Sequence, residues 1–309
     1  MNIRAAIVSL MLGTLTVSCQ NVLVPASDPG YPAMSIAETE TRLITSSVNG
    51  RTYEISIAFP GNYNEADSPY PILFVLDANH HFGTFVETAR SLAAGSFSEP
   101  IIVGVGYPVG RYINSFGTRA VDLTPSSDQE AIAAYNKENL EMEALDKQLT
   151  KFPAMEGSGG APDFLSFMLE ELIPLIEAEY KASPNGRGLV GWSFSGLFAL
   201  YAMFETEGVF ERFIIVSPSL WWDEHMIFDM EKEYAETHTL LSARIFLTVG
   251  ALEGDESIAD HHKFYEALRA REYDGLSQRL FVADEETHMS VVPATIGKGL
   301  RFIYGGEKR

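Results

Sequence analysis

The stretch Gly191-Trp192-Ser193-Phe194-Ser195-Gly196 joins the apolar run "GRGLV" to a second one, "LFALYAMF". Strand, sharp turn and helix in that order make the setting of a nucleophile elbow, where a strained turn exposes a serine hydroxyl at the end of a sheet. Bulk two residues before the serine, or two to three after it, would strike the adjoining strand and helix. Gly191, Ser195 and Gly196 keep those places small. The competing explanation is that small residues merely let the helix lie close to the sheet.

A serine hydroxyl is a weak nucleophile at neutral pH, so a reactive Ser193 calls for a base, a group that orients the base, and donors for an oxyanion. "RLFVADEETHMSV" places His288 just beyond the last apolar strand run, and "RIFLTVGALEGDE" places Glu253 and Asp255 just beyond the run before it. Serine, acid and histidine then follow in the order that such an elbow uses. Glu253, nearer the strand end, is the first choice of acid, and Asp255 is the alternative. The Phe194 N–H comes with the elbow as one oxyanion donor, and the loop "DANHHFG" offers the main chain of Asn79 as the second. His80 and His81 in that loop either line the cleft mouth or are simply solvated. This chemistry calls for no cofactor.

Several elements must hold these residues. "PILFVLD" (71–77), "IIVGVG" (101–106), "GRGLVG" (186–191), "RFIIVS" (212–217), "RIFLTVG" (244–250) and "QRLFVA" (278–283) read as strands buried on both faces of a mostly parallel sheet. Helical patterns lie between them. In "FLSFMLEELIPLIEAEY" the spacing puts Phe164, Met168, Leu172 and Leu175 on one face, and "HHKFYEALRARE" supplies a helix before the last strand. Two alternating runs around Asn49-Gly50 predict an N-terminal antiparallel hairpin. The sum is an α/β sheet with helices on both faces.

The 309 residues, 46% of them hydrophobic, suffice for one large α/β domain. A formal charge of -20 repels nucleic acid and anionic lipid head groups. Arg4 followed by "AAIVSLMLGTLTVSC" reads as an export signal, too short to span a bilayer, and Cys19 after "LTVS" resembles a lipoprotein processing site. That places the mature protein in a bacterial envelope or periplasm, either anchored through lipid on Cys19 or, if the run is an ordinary signal peptide, with the cysteine incidental or removed. Residues 20–40 read as a flexible tether, and the folded domain is expected over 41–309. Residues 126–162 are polar, acidic and closed by glycines, so they read either as a lid-like insertion or as a solvated surface helix.

With these residues in place, the chain resembles the putative esterase family of α/β-hydrolases, nearest its siderophore-esterase branch, over nearly all of residues 42–304. The resemblance is carried by "YPILFVLDANHHF", "IIVGVGYP", "RAVDLTP", "GWSFSGLFALYAMF", "SPSLWWD", "LTVGALE" and "THMSVVPATIGKGLRF". It implies an α/β-hydrolase fold, Ser193 as nucleophile, His288 as base and an acid at Glu253, although some such esterases are thought to use serine and histidine alone. Two residues depart from the pattern: Ala78 and Ser195 each stand where the family usually has glycine. In "SPSLWWD", Trp221 and Trp222 offer flat apolar surface either to a substrate or to the core. Arg119 and Asp122 read as a local pair shaping the cleft wall, and the resemblance makes Arg111 or Arg119 a candidate contact for an anionic catecholate.

Other chemistry fits less well. "GVGYPVG" has the wrong glycine spacing for a dinucleotide loop. In "GDESIADHH", His261 and His262 point apart on a helix, so no metal site is expected there. The expectation is an exported ester hydrolase for a small-molecule ester, including a siderophore lactone. An acyltransferase on the same residues and an inactive siderophore- or glycan-binding protein are the alternatives.

Overall fold

The computed structural model describes residues 35–64, 68–94, 97, 99–109, 112–145 and 153–305. The expected export segment, Cys19, most of the expected tether and Arg111 lie outside the described residues. Eight strands are present among those described: β1 (Thr39–Thr45), β2 (Thr52–Ala58), β3 (Ile72–Leu76), β4 (Ile101–Gly106), β5 (Gly188–Trp192), β6 (Arg212–Val216), β7 (Arg244–Gly250) and β8 (Ser277–Ala283). They form one sheet in the order β1-β2-β4-β3-β5-β6-β7-β8. β1 pairs antiparallel with β2, and β2 with β4; every other pairing is parallel. This is the α/β-hydrolase architecture, with the hairpin on one edge.

Residue type explains the placement. β3, β4 and β5 are buried at every position, as unbroken apolar runs require when helices cover both faces. β2 alternates buried and half-buried residues. The tether gives way to the sheet slightly before 41, since Thr39 and Glu40 already pair with Ala58 and Ile57. The Asn49-Gly50 pair sits in a turn longer than two residues: Thr45 pairs with Thr52, residues 46–51 make the connection, and Gly50 takes φ 70°.

The helices are α1 (Ala78–Ala93), α2 (Ser115–Leu123), α3 (Gln129–Leu145), α4 (Ala161–Phe167), α5 (Ile173–Glu179), α6 (Phe194–Glu205), α7 (Trp222–Thr237), α8 (Asp255–Ala270) and α9 (Val291–Tyr304). One core layer joins α1 and α9 to the sheet through Phe85, Val190, Ile214, Ile296 and Leu300. The other joins α4 and α6 to it through Phe164, Phe198, Phe74 and Phe213. α6 is buried from Phe194 to Phe204, which an all-apolar helix demands.

Between α4 and α5 the chain makes a π turn, Met168–Leu172, with the Ile173 N–H reaching back to Met168 O. Pro174 accounts for it, because a proline cannot donate to the helix and its ring collides with the carbonyl four residues earlier. The extra residue in that turn advances the inward face by one position. Ile176, not the expected Leu175, is therefore fully buried.

The elbow is a tight point of the chain. Ser193 has φ 60° and ψ −119°, between the end of β5 and the start of α6. A Cβ on Gly191 would lie 1.9 Å from Ser195 O, so that place needs glycine, and one on Gly196 would press on Pro218 Cα at 3.0 Å. The Ser193 N–H bonds Val216 O at 3.0 Å, and Ser193 O accepts from Ser219 N at 3.1 Å. A non-glycine residue held at such a positive φ stores about 1–3 kcal/mol, partly offset by the greater entropy of unfolded glycine. Ser193→Gly is expected to melt about 2–4 °C above Ser193→Ala in scanning calorimetry; equal melting points would show that the turn carries no strain.

Candidate active site

His288 lies in the loop between β8 and α9, and its Nδ1 stands 2.7 Å from Glu253 Oε2. Glu253 lies in the loop after β7; its Oε1 accepts from Ser217 Oγ at 2.5 Å and from Gly250 N at 2.7 Å. Burial pushes this carboxyl up, but the hydrogen bond and charge of His288, with the bonds from Ser217 and Gly250, outweigh it and hold it below its ordinary value. The group is a carboxylate that orients an imidazole. Asp255, the alternative acid, is exposed at the first position of α8 and takes no part in this contact.

Trp192 holds His288 at two further points. Trp192 Nε1 donates to His288 O at 2.9 Å, and the two rings lie 5.0 Å apart, tilted by 36°. With Nδ1 turned to Glu253, Nε2 is the ring nitrogen left to take a proton. Ser193 and His288 line the same cavity. The Ser193 hydroxyl pairs with Ser219 Oγ at 3.4 Å, a long contact that a bound substrate can exchange for His288.

Two helix N-termini meet beside this serine's turn. Phe194 opens α6, and Asn79 is the second residue of α1; N–H groups in a first turn have no acceptor within their own helix. The Asn79 side chain is fully used, donating to Tyr107 O and accepting from Tyr107 N, both at 2.8 Å. Any part Asn79 plays toward a substrate therefore falls to its main chain.

The cavity measures about 830 Å³ including its open mouth. Trp192, Trp221, Trp222 and Phe116 give it aromatic walls, and Tyr135, Glu138 and Met155 from the 126–162 segment close another side. Trp221 is half-buried, whereas Trp222 is fully buried and donates from Nε1 to Ser126 Oγ at 3.2 Å. α7 begins here in a left-handed turn, with φ of 46°, 52° and 68° at Asp223, Glu224 and His225.

Three expectations need correction. Arg119 pairs with Asp77, not Asp122: its Nε and Nη2 each donate at 2.6 Å to that carboxylate, and the pair is buried. Its guanidinium borders the cavity but is already neutralised, so it is poorly placed to capture a catecholate anion. His80 does not line the cavity, because α1 begins at Ala78 and carries its ring against Phe116, 4.9 Å away, near Ser115 Oγ. His81 is not at the cleft mouth either. Its ring meets Trp192 edge-on at 5.2 Å, and burial pushes its pKa down to about 4.

Asp77, Trp192, Ser217 and Ser219 complete the site beyond the residues singled out in the sequence. Trp192 and Ser219 lie inside the quoted motifs, and Asp77 is a charged residue closing an apolar strand. That placement marks a carboxylate in need of a buried partner.

Strand order, elbow, histidine and carboxylate together define a serine hydrolase on an α/β-hydrolase fold. Residues 46–279 match the Putative esterase family, and the chain belongs to that family. It is 29% identical over 287 residues to the ferri-bacillibactin esterase BesA of Bacillus subtilis, covering 87% of this chain and 91% of that protein. It is 28% identical over 283 residues to the siderophore enterobactin esterase of Emericella nidulans, covering 81% of this chain and 89% of that protein. The solved BES protein from Bacillus cereus superposes with a TM-score of 0.74 at 31% identity, over 89% of this chain and 98% of that one. The chain is thus an esterase of the siderophore-esterase branch.

Asp122 has its own buried cluster. Tyr53 and Tyr107 hydroxyls donate to its Oδ2 at 3.1 Å each, and Arg51 Nε stands 3.1 Å from Oδ1. Burial dominates and raises its pKa to about 6, against the opposing pull of Arg51 and the two tyrosines. A carboxyl with a raised folded pKa supports the fold while protonated and loses that support as pH climbs from its unfolded value through about 6. Across urea titrations at pH 4 and pH 7, wild type is expected to lose about 2 kcal/mol relative to Asp122→Asn. Parallel stabilities at the two pH values would contradict that.

Proposed function

We propose that the protein is an exported, lipid-anchored carboxylic ester hydrolase that works through an acyl-enzyme on siderophore-type esters. The observation that carries the reaction is the 2.7 Å contact from Glu253 to His288, with Ser193 at φ 60° on the elbow turn in the same cavity. Ser193 Oγ turns from Ser219 to His288 and attacks the ester carbonyl while its proton passes to Nε2. The Phe194 and Asn79 N–H groups hold the oxyanion. As the tetrahedral intermediate collapses, the C–O bond to the alcohol breaks and His288 returns the proton to the leaving oxygen. Water, deprotonated by the same imidazole, then attacks the acyl-serine and releases the acid and the free hydroxyl. Glu253 stays ionised throughout and keeps the imidazole in the required tautomer.

The substrate class rests on two supports. The names of the relatives specify bacillibactin and enterobactin esters, and the cavity walls are flat aromatic surfaces suited to an aromatic acyl group. Half-buried Trp221 is the side chain assigned to that contact, whereas fully buried Trp222 belongs to the core behind it. The export and lipid anchor rest on Arg4, the apolar run after it and Cys19. Among the described residues no helix is long and apolar enough to cross a membrane.

A fluorophosphonate probe is expected to label one serine, with labelling abolished in Ser193→Ala, and the wild type is expected to hydrolyse ferric enterobactin or ferric bacillibactin. An unlabelled, folded wild type would overturn the esterase mechanism and favour a binding role; acyl transfer to alcohols in preference to water would favour the transferase. Glu253→Gln is expected to lower kcat by about 10²- to 10⁴-fold in steady-state assays. A loss below about tenfold would show that serine and histidine suffice.

A further inference from the structure

Ser195 stands where the elbow pattern has glycine, and its hydroxyl is engaged on two sides. Its Oγ accepts the Trp192 N–H at 2.7 Å and donates to Asp77 Oδ2 at 2.5 Å, at a position with no exposure to solvent. Trp192 O also lies 2.9 Å from that Oγ, but a hydroxyl has one proton and the carboxylate is the stronger acceptor. Arg119, already bonded twice to Asp77, reaches on from Nη2 to Trp192 O at 3.0 Å. Both polar main-chain groups of Trp192 are therefore held by a cluster centred on Asp77, and the next residue in the chain is Ser193.

The other end of this cluster is the start of α1. Asp77 takes φ 52° and ψ 39°, the left-handed turn from which α1 sets out, and Asn79 follows two residues later. Asn79 is in turn clamped to the Tyr107 main chain. The bond from Ser195 to Asp77 thus ties the start of α6, which supplies the Phe194 amide, to the start of α1, which supplies the Asn79 amide.

We infer that Ser195 is a positioning residue whose hydroxyl sets the separation between the two oxyanion amides, Phe194 N–H and Asn79 N–H. This rests on the acyl-enzyme reading given above. Oxyanion donors act only when both meet the developing charge at hydrogen-bond distance, and a misplacement of about 1 Å can lower the rate about 10²-fold. Removing the hydroxyl leaves the Trp192 N–H without its partner and Asp77 one donor short, and it unties the two helix starts. Arg119 still neutralises Asp77, so the loss falls on geometry more than on charge.

The test compares Ser195→Ala and Ser195→Gly with wild type at a temperature where circular dichroism shows each to be folded. Three quantities are read: kcat and KM on a p-nitrophenyl ester, the rate of fluorophosphonate labelling, and the affinity of a trifluoromethyl ketone that mimics the tetrahedral intermediate. Expected are a fall in kcat of about 10- to 100-fold, KM held within about twofold, and ketone affinity weakened by the factor lost from kcat/KM. Should Ser195→Ala not fold, Ser195→Gly, which adds no bulk, carries the same test. A folded variant with kcat within about twofold of wild type, or with its loss confined to KM, overturns the inference. Failure of the wild type to label would instead sink the acyl-enzyme reading, so the two failures are distinct.

Discussion

The Ser193 hydroxyl faces the cavity because the backbone turns there at φ 60° instead of continuing from β5 into a right-handed helix. That turn closes only if Gly191 has no side chain, since a Cβ would overlap the Ser195 carbonyl. It also needs α6 to start at once, which the unbroken apolar run from Phe194 onward secures by burial. The same start leaves the Phe194 N–H without an acceptor in its own helix. Nucleophile and oxyanion donor are thus two consequences of one bend, and the rest of the site is arranged around it.

Two buried carboxylates serve this bend in different ways. Glu253 stays ionised against its burial because His288, Ser217 and Gly250 surround it with donors, and it sets the direction of the imidazole. Asp77 stays ionised because Arg119 and Ser195 face it, and it ties the elbow to the start of α1. Asp122 shows the opposite balance: with Arg51 and two tyrosine hydroxyls as its partners, burial prevails and the carboxyl is raised. The donors around Asp77 and Glu253 stand at 2.5–2.7 Å and those around Asp122 at 3.1 Å, so closeness of the donors, more than their number or the depth of burial, separates these outcomes.

Much of this was legible in the residues. Runs such as "IIVGVG" and "RIFLTVG" are apolar almost throughout because both faces of the sheet are covered, and the strands there match those runs residue for residue. Ser193 and His288 stood out because strand context surrounds each of them. What stayed hidden depends on distances that a linear pattern does not hold. Glu253 and Asp255 are two residues apart in one loop, and only the fold turns one inward and leaves the other in solvent. Arg119 has Asp122 close by on α2, yet its partner Asp77 arrives from the turn after β3. Leu175 fitted the helical period until a single π turn before Pro174 passed its place to Ile176. Ser195 looked like a tolerated substitute for glycine, and its bonds are visible only when β3 and β5 lie side by side.

The central claim is that one strained serine, its imidazole and two helix-terminal amides converge on a single point. A crystal structure of the protein after reaction with a fluorophosphonate measures that directly. The account predicts phosphorus on Ser193 Oγ, the phosphoryl oxygen within hydrogen-bond distance of both the Phe194 and Asn79 amides, and the contact between His288 and Glu253 intact. Phosphorus on another residue, or a phosphoryl oxygen turned away from both amides, would contradict it.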